Sequence, residues 1–209
     1  MKFSASRGGI FLCFLAAMIF LWFVPCKAFL KKVPLPSDSK ATFPIFELPI
    51  PRNNAYANYL GISGTGNFKI TQIKSPVLII EIFSMNCTHC QNATPLARRL
   101  YLAIQARLDL KGKIKIIGIG SNNNADEVDL FRKSYHVPFP LFPDPHNAIS
   151  KKLGGVILPT FIGVKNNGDG TLEKFLFQSG AFRDAKSFLG EILERAKLEE
   201  GSSKLQGRS

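Results

Sequence analysis

An apolar, β-branched run over residues 77–83 leads directly into the motif Cys87-Thr-His-Cys90, and a helical pattern follows from about residue 88 to residue 110. The two-residue spacing allows the sulfur atoms to join within one helical turn. The positive end of a helix dipole favours the thiolate form of the first cysteine. A Cys-x-x-Cys pair at a strand-to-helix junction is therefore typical of dithiol–disulfide exchange.

The first 28 residues predict an export signal. Lys2 and Arg7 precede an uncharged run over residues 10–24, and Cys26-Lys-Ala28 ends the segment. This order of a basic region, an apolar region and a small-residue exit is that of a secretory signal. The run is short for a membrane helix, which needs about 20 residues, so an uncleaved anchor is the alternative. We expect an exported protein that is periplasmic and either soluble or tethered to the inner membrane.

Cysteine usage points to redox chemistry. Two of the four cysteines, Cys13 and Cys26, lie in the predicted signal, so the mature chain keeps only Cys87 and Cys90 as a possible disulfide. A bond that closes so short a loop restrains the unfolded chain little. A structural staple is therefore a poor explanation, although two packed thiols remain an alternative.

The net charge of +12 suggests anionic partners, but the basic residues are not concentrated in one part of the sequence. Basic residues are scattered in short groups, such as Arg98-Arg99 and Lys151-Lys152, and form no long block or aromatic-interleaved stripe. Nucleic-acid binding usually needs such a patch. Together with the export signal, this pattern argues against a nucleic-acid partner and favours solvated faces or attraction to a membrane surface.

The rest of the chain alternates between strand and helix patterns. Residues 29–42 predict a linker, 43–51 an extended segment, 52–67 an irregular loop and 68–73 a short strand. Further strands are expected over 77–84, 113–120, 140–142, 160–164 and 172–178, and helices over 88–110, 125–135, 146–153 and 183–198. This order predicts an α/β sandwich with a mixed central sheet flanked by helices. The polar residues 199–209 predict a disordered tail.

Several residues around the cysteine pair resemble the thioredoxin superfamily. Pro95 falls where thioredoxins kink the active-site helix, and Glu81 falls where they bury an acid beneath the second cysteine. Leu158-Pro159 is similar to their cis-proline loop. The resemblance covers a thioredoxin-like domain over residues 43–198. An extra strand and helix before Pro159 look like the insertion of the exported TlpA/ResA subfamily and its peroxiredoxin relatives.

The resemblance implies a role for each residue of the pair and its surroundings. Cys87 would be the exposed nucleophile, and Cys90 would resolve the mixed disulfide by attacking Cys87. His89, when charged, would favour the thiolate, and Glu81 would accept the proton of Cys90. Because a buried carboxyl group is costly to ionise, we expect a raised pKa at Glu81.

The same resemblance implies a substrate-binding surface. A cis Pro159 would hold the Leu158 backbone against Cys87 and offer extended substrates a strand-like partner. Asn86 stands where the family usually has tryptophan, so substrate contacts beside the nucleophile must differ. The implied partners are protein thiols or disulfides, with apocytochrome c and a membrane electron donor as candidates. No cofactor is implied, since the dithiol carries two electrons itself.

Three other functions compete with protein disulfide exchange. A peroxiredoxin-like peroxidase would use Ser84, three residues before Cys87, although Ile80 replaces the proline expected before it. A copper metallochaperone could add His136 as a third ligand. A zinc site would need two of the three histidines, His89, His136 and His146, beside both cysteines.

Overall fold

The protein is described here by a computed structural model that places residues 42–198. The predicted signal or anchor, all of the predicted linker except Thr42, and the predicted tail lie outside these described residues. Within residues 42–198, no helix is both long and apolar enough to cross a bilayer.

The described chain begins with a small antiparallel sheet. Strand β1 covers Glu47–Pro49, helix α1 covers Asn54–Leu60, and strand β2 covers Asn67–Lys69 and pairs with β1. A short 3-10 helix follows over Ile70–Gln72. The side chains of Phe46, Leu48 and Phe68 are buried in the core below.

The remaining elements alternate around one five-stranded sheet. Its strands are β3, β4, β5, β6 and β7, which cover Val77–Phe83, Ile114–Ser121, Leu141–Asp144, Thr160–Asn166 and Leu172–Ser179. The helices are α2, α3, α4 and α5, which cover Thr88–Ala106, Ala125–Ser134, Ala148–Lys152 and Ala185–Ala196.

The sheet is mixed, as expected. Its strand order is β5-β4-β3-β6-β7; β3 is parallel to β4, whereas β6 is antiparallel to both β3 and β7. Val77 lies opposite Ile114 on one side and Lys165 on the other. Because β3 and β4 are parallel and adjacent, the loops that follow them meet at the same end of the sheet.

Strand β3 is buried on both faces, which explains why all of its side chains except Glu81 are apolar. Ile79 and Phe83 face a core with α2 and α5, whereas Leu78 and Ile80 face a second core that includes β1, β2 and residues 60–73. The alternation of side chains along a strand places Glu81 on the same face as Ile79 and Phe83. The acid therefore points toward the α2 side of the sheet.

Two predictions for the N-terminal part were wrong. Residues 52–67 were expected to be an irregular loop but contain α1, because the Asn53 side chain caps its start and Gly61, at φ 72°, ends it in a left-handed conformation. Residues 68–73 were expected to form a strand, but pairing ends at Lys69 and the 3-10 turn follows. In this region, the capping residues determine the secondary structure more than the weak hydrophobic periodicity does.

Elsewhere the predicted elements exist, with shifted ends. The largest shift is at α2, which ends at Ala106 rather than near residue 110. Arg107 caps the helix, and its carbonyl accepts hydrogen bonds from the backbone amides of Leu110 and Lys111 in a tight turn. This turn brings the chain back toward the start of β4.

Candidate active site

Cys87 forms the N-cap of α2. Its sulfur accepts a hydrogen bond from the backbone N–H of Cys90 at 3.3 Å, and its carbonyl accepts from the Gln91 amide at 3.0 Å. The thiol is partly exposed. The sulfur thereby takes the place of a capping side chain at the start of the helix. Cys87 is thus placed to act as a nucleophile at the surface.

Cys90 lies one turn into the helix and is fully buried. Burial raises the pKa of its thiol far above the ordinary value, and its hydrogen bond with Cys87 raises it further. A buried thiol of this kind needs a nearby base before it can attack. No bond joins the two sulfur atoms in this structure.

Glu81 is that nearby group. Its side chain is 2% exposed, and its Oε1 atom has no hydrogen-bond partner among the described residues. Burial raises its pKa to about 8, and its charge contributes to the raised pKa of Cys90. A carboxyl group with a pKa near neutrality can both hold and release a proton under physiological conditions.

The loop before β6 closes the site on its other side. The Leu158–Pro159 peptide bond is cis, as the resemblance implied. The Cys87 thiol lies 3.8 Å from the Leu158 carbonyl oxygen, to which it donates a weak hydrogen bond. Leu158 is half-buried, and its neighbour Ile157 is 75% exposed. An apolar, accessible backbone segment therefore flanks the nucleophile.

Asn86 and His89 are exposed on either side of Cys87. Neither side chain makes a hydrogen bond within residues 42–198. Both are placed to contact an incoming molecule, whereas the suggested roles of His89 in favouring the thiolate and of Asn86 in substrate contact remain predictions.

Two residues that the sequence analysis did not single out hold the loop before Cys87. The fully buried Asn123 accepts a hydrogen bond from the Met85 amide at 2.7 Å, and the Gln91 amide side chain donates to the Met85 carbonyl at 2.9 Å. Both polar groups of the Met85 backbone are thereby bound by side chains. The signal that could have indicated Asn123 is its position after β4, next to the loop that follows the parallel strand β3.

The structure does not gather the residues that a metal site would need. No cluster of three or more His, Cys, Asp or Glu side chains with suitable positions occurs among residues 42–198. His136 and His146 are exposed and follow α3 and β5, respectively. Ser84, the hydroxyl of the peroxidase alternative, is half-buried, and its carbonyl accepts the backbone N–H of Cys87.

The Cys87 thiol opens onto the surface rather than into the groove between α2 and α5. That groove has a volume of about 840 Å³ and is lined by residues of both helices and of the turn before α5, among them Leu96, Ala103, Arg183, Leu189 and Leu193. None of the site residues lines it. An open reactive thiol beside an exposed loop suits a macromolecular substrate better than an enclosed small molecule.

No profile of a known protein family matches the chain, and no curated protein does either. Solved structures do match. A Chlorobium tepidum protein described as the thiol:disulfide interchange protein DsbE superposes with a TM-score of 0.57 at 18% identity, covering 76% of this chain and 98% of that one.

Two further solved structures agree in fold. A secreted thiol-disulfide isomerase from Corynebacterium glutamicum has a TM-score of 0.55 at 18% identity, with 74% of this chain and 85% of that chain covered. StoA from Bacillus subtilis has a TM-score of 0.50 at 15% identity, with 72% and 96% covered. The thioredoxin-like fold of the chain is thereby confirmed, including the mixed sheet flanked by helices.

Proposed function

We propose that the protein is an exported thiol–disulfide oxidoreductase that exchanges disulfides with other proteins through Cys87 and Cys90. The observation that carries this proposal is the asymmetry of the pair. One thiol is accessible at a helix N-terminus, and the other is buried above a carboxyl group. Structural neighbours that are named as thiol-disulfide proteins support the same reaction class.

In the reducing direction, the Cys87 thiolate attacks one sulfur of a substrate disulfide. A bond forms between Cys87 and that sulfur, the substrate S–S bond breaks, and the second substrate sulfur leaves as a thiolate that takes a proton. Backbone N–H groups at the start of α2 stabilise the attacking thiolate. The exposed loop at Ile157 and Leu158 provides a surface for the substrate chain beside the mixed disulfide.

Resolution uses the buried groups. Cys90 transfers its proton to the Glu81 carboxylate and attacks the Cys87 sulfur. A bond forms between Cys87 and Cys90, the bond between Cys87 and the first substrate sulfur breaks, and that sulfur leaves as a thiolate that takes a proton from solvent. The enzyme is left with a Cys87–Cys90 disulfide, and two electrons have passed to the substrate. The reverse sequence oxidises a dithiol substrate, and Glu81 then returns the proton to Cys90. Partners are therefore proteins with disulfides or thiols, such as apocytochrome c or a membrane electron donor.

Trapping of mixed disulfides tests this mechanism. The Cys90→Ser variant should accumulate covalent complexes with partner proteins that disappear on treatment with a reductant, whereas Cys87→Ser should form none and should lose insulin reduction. The matched control is Ser84→Ala, which should keep insulin reduction. Loss of activity in Ser84→Ala together with peroxide turnover by the wild type would instead favour the peroxidase alternative.

The reduction potential of the cysteine pair would assign the direction of electron flow. A value near about −120 mV would indicate disulfide formation in substrates, and one near about −270 mV would indicate reduction. Equilibration of the purified protein with glutathione or dithiothreitol buffers measures this value directly.

A further inference from the structure

The end of the domain opposite the cysteines carries a group of lysines. Lys74 precedes β3, Lys111 and Lys113 precede β4, and Lys165 is near the end of β6. Strand pairing brings them together, since Val77 lies opposite Lys165 and its backbone N–H donates to the Lys113 carbonyl at 3.0 Å. Lys74, Lys111 and Lys113 are exposed, and Lys165 is half-buried. We refer to these four residues as the lysine end.

An exposed leucine stands at the same end. Leu108 is 88% exposed in the tight turn that joins α2 to Lys111, more than any other large apolar side chain among the described residues. Its neighbours Arg107 and Asp109 form an ion pair at 2.6 Å. Apolar side chains surrounded by cations are typical of surfaces that lie on anionic membranes, where the apolar group enters the interface and the cations meet the headgroups.

Carboxylates at this end do not cancel its charge. Glu173 lies opposite Lys165 in the sheet, and Asp169 lies in the adjacent hairpin, where its hydrogen bonds to Thr171 lower its pKa. Four lysines therefore leave the end with a net positive charge. At the other end, Asp126 and Glu127 begin α3 beside the active-site loop.

The chain also enters the domain at this end. Thr42, the first described residue, bridges Glu173, and the Phe43 backbone N–H donates to the Leu172 carbonyl at 2.8 Å. The apolar run predicted as a signal or anchor ends at residue 24, so 17 residues separate it from Thr42. Any tether to a membrane would thus join the domain at the same end as the lysines.

We propose that the lysine end docks on an anionic bilayer surface, with Leu108 entering the interface. Helix α2 has 19 residues, a length of about 28 Å. Cys87 at its other end would then face away from the bilayer, toward exported proteins. One anchor and one basic patch together hold a protein on a membrane more stably than either does alone. This proposal is independent of the dithiol chemistry.

Tryptophan fluorescence of the full chain in vesicles tests the docking. The sole tryptophan, Trp22, is first replaced by phenylalanine, and Leu108→Trp then reports on the lysine end. We expect brominated lipids to quench this tryptophan in vesicles of phosphatidylcholine and phosphatidylglycerol, and to quench it little in phosphatidylcholine alone. High salt should release the quenching, since it screens surface charges.

Matched variants test whether docking is specific to the lysine end. Leu130→Trp, at a leucine of α3 that is 53% exposed, should stay unquenched in both kinds of vesicle. Lys111→Gln and Lys113→Gln should each lower the ratio of docked to undocked molecules about fivefold, whereas Lys186→Gln on α5 should leave it unchanged. Equal quenching at positions 108 and 130, or no dependence on phosphatidylglycerol or on the two lysines, would overturn the proposal.

Insulin reduction measured in the same samples separates this proposal from the proposed function. The substituted positions of the lysine end, α3 and α5 lie away from the cysteines, so these variants should keep the insulin-reduction rate of the Trp22→Phe parent. Docking without insulin reduction in the wild type would contradict the oxidoreductase proposal alone, and insulin reduction without docking would contradict the membrane proposal alone.

Discussion

The N-terminal end of α2 packs over buried polar groups, whereas the C-terminal end is followed by exposed ones. At the first end, Glu81 and Asn123 are buried, and each lies beside the cysteine loop or the buried thiol. At the second end, Lys111, Lys113 and Leu108 are exposed. Buried polar groups feel a low dielectric and shift pKa values strongly, but exposed charges are screened.

This contrast suggests that the buried groups serve the reaction, whereas the exposed groups serve the placement of the domain on a membrane. The buried set controls the protons and the geometry that disulfide exchange needs, so its substitution should change stability and rate. The exposed set makes few internal contacts, so its substitution should change only what the protein binds.

The pH dependence of stability should show the largest effect. The folded state raises the pKa of Glu81 from 4.5 to about 8 through burial, so it retains a proton that the unfolded state loses. The unfolding free energy should therefore fall as pH rises from about 4.5 to about 8, by about 5 kcal/mol at the limit. Urea unfolding of the reduced protein between pH 4 and pH 9 measures this slope.

Glu81→Gln should remove that part of the dependence of the unfolding free energy on pH, because a glutamine side chain does not titrate. The matched control is Glu47→Gln, at an exposed position on β1, which should leave the profile as it is in the wild type. An unchanged slope in Glu81→Gln would show that other groups cause the pH dependence.

The same substitution should slow resolution of the mixed disulfide. Burial holds the pKa of the Cys90 thiol well above its usual value, so attack depends on a nearby proton acceptor. Loss of a positioned base typically slows proton transfer about 10²-fold. Stopped-flow release of a thiol substrate from a preformed Cys87 mixed disulfide measures this step. If Glu81→Gln released the thiol at the wild-type rate, water or another group would be taking the proton.

A smaller effect is expected at Asn123. Asn123→Ala leaves the Met85 backbone N–H without its side-chain acceptor, which costs about 1–3 kcal/mol when the group stays buried. The loop before Cys87 should loosen, so iodoacetamide should alkylate Cys87 at a different rate from that of the wild type. The melting temperature should also fall. Asn124→Ala provides the comparison, since it removes the cap of α3 without touching Met85. Equal alkylation rates in both variants would limit Asn123 to a structural role.

The two ends also differ in how far the sequence could predict them. Strand β3 and the start of α2 were predicted within a residue, because a run that is apolar except for Glu81 and a cysteine pair leave few alternatives. The position of Glu81 beneath Cys90 followed from the resemblance alone. Asn123 could not be found in this way, because its partner Met85 lies 38 residues away and the contact depends on which strands are neighbours.

The lysine end was equally hidden in the sequence. Lys74, Lys113 and Lys165 are far apart along the chain, so the sequence alone shows only scattered charges. The pairing of β3 with its neighbouring strands brings these residues to one end of the domain. Helix α1 was missed for a local reason, since Asn53 and Gly61 set its ends and only Leu60 is fully buried. Sequence patterns identify elements that bury long apolar runs, whereas caps and contacts between neighbouring strands require the fold.

The smallest effect on the fold is expected at the exposed end. Leu108→Ala removes a side chain that is 88% exposed, and surface substitutions of this kind change stability by less than about 0.5 kcal/mol. Leu110→Ala, two residues away, is the contrasting variant, because Leu110 is 1% exposed and its truncation should cost about 2–5 kcal/mol. Thermal unfolding of both variants measures the difference. A large loss in Leu108→Ala would mean that Leu108 packs within the protein, and the exposed end would then have a structural role as well.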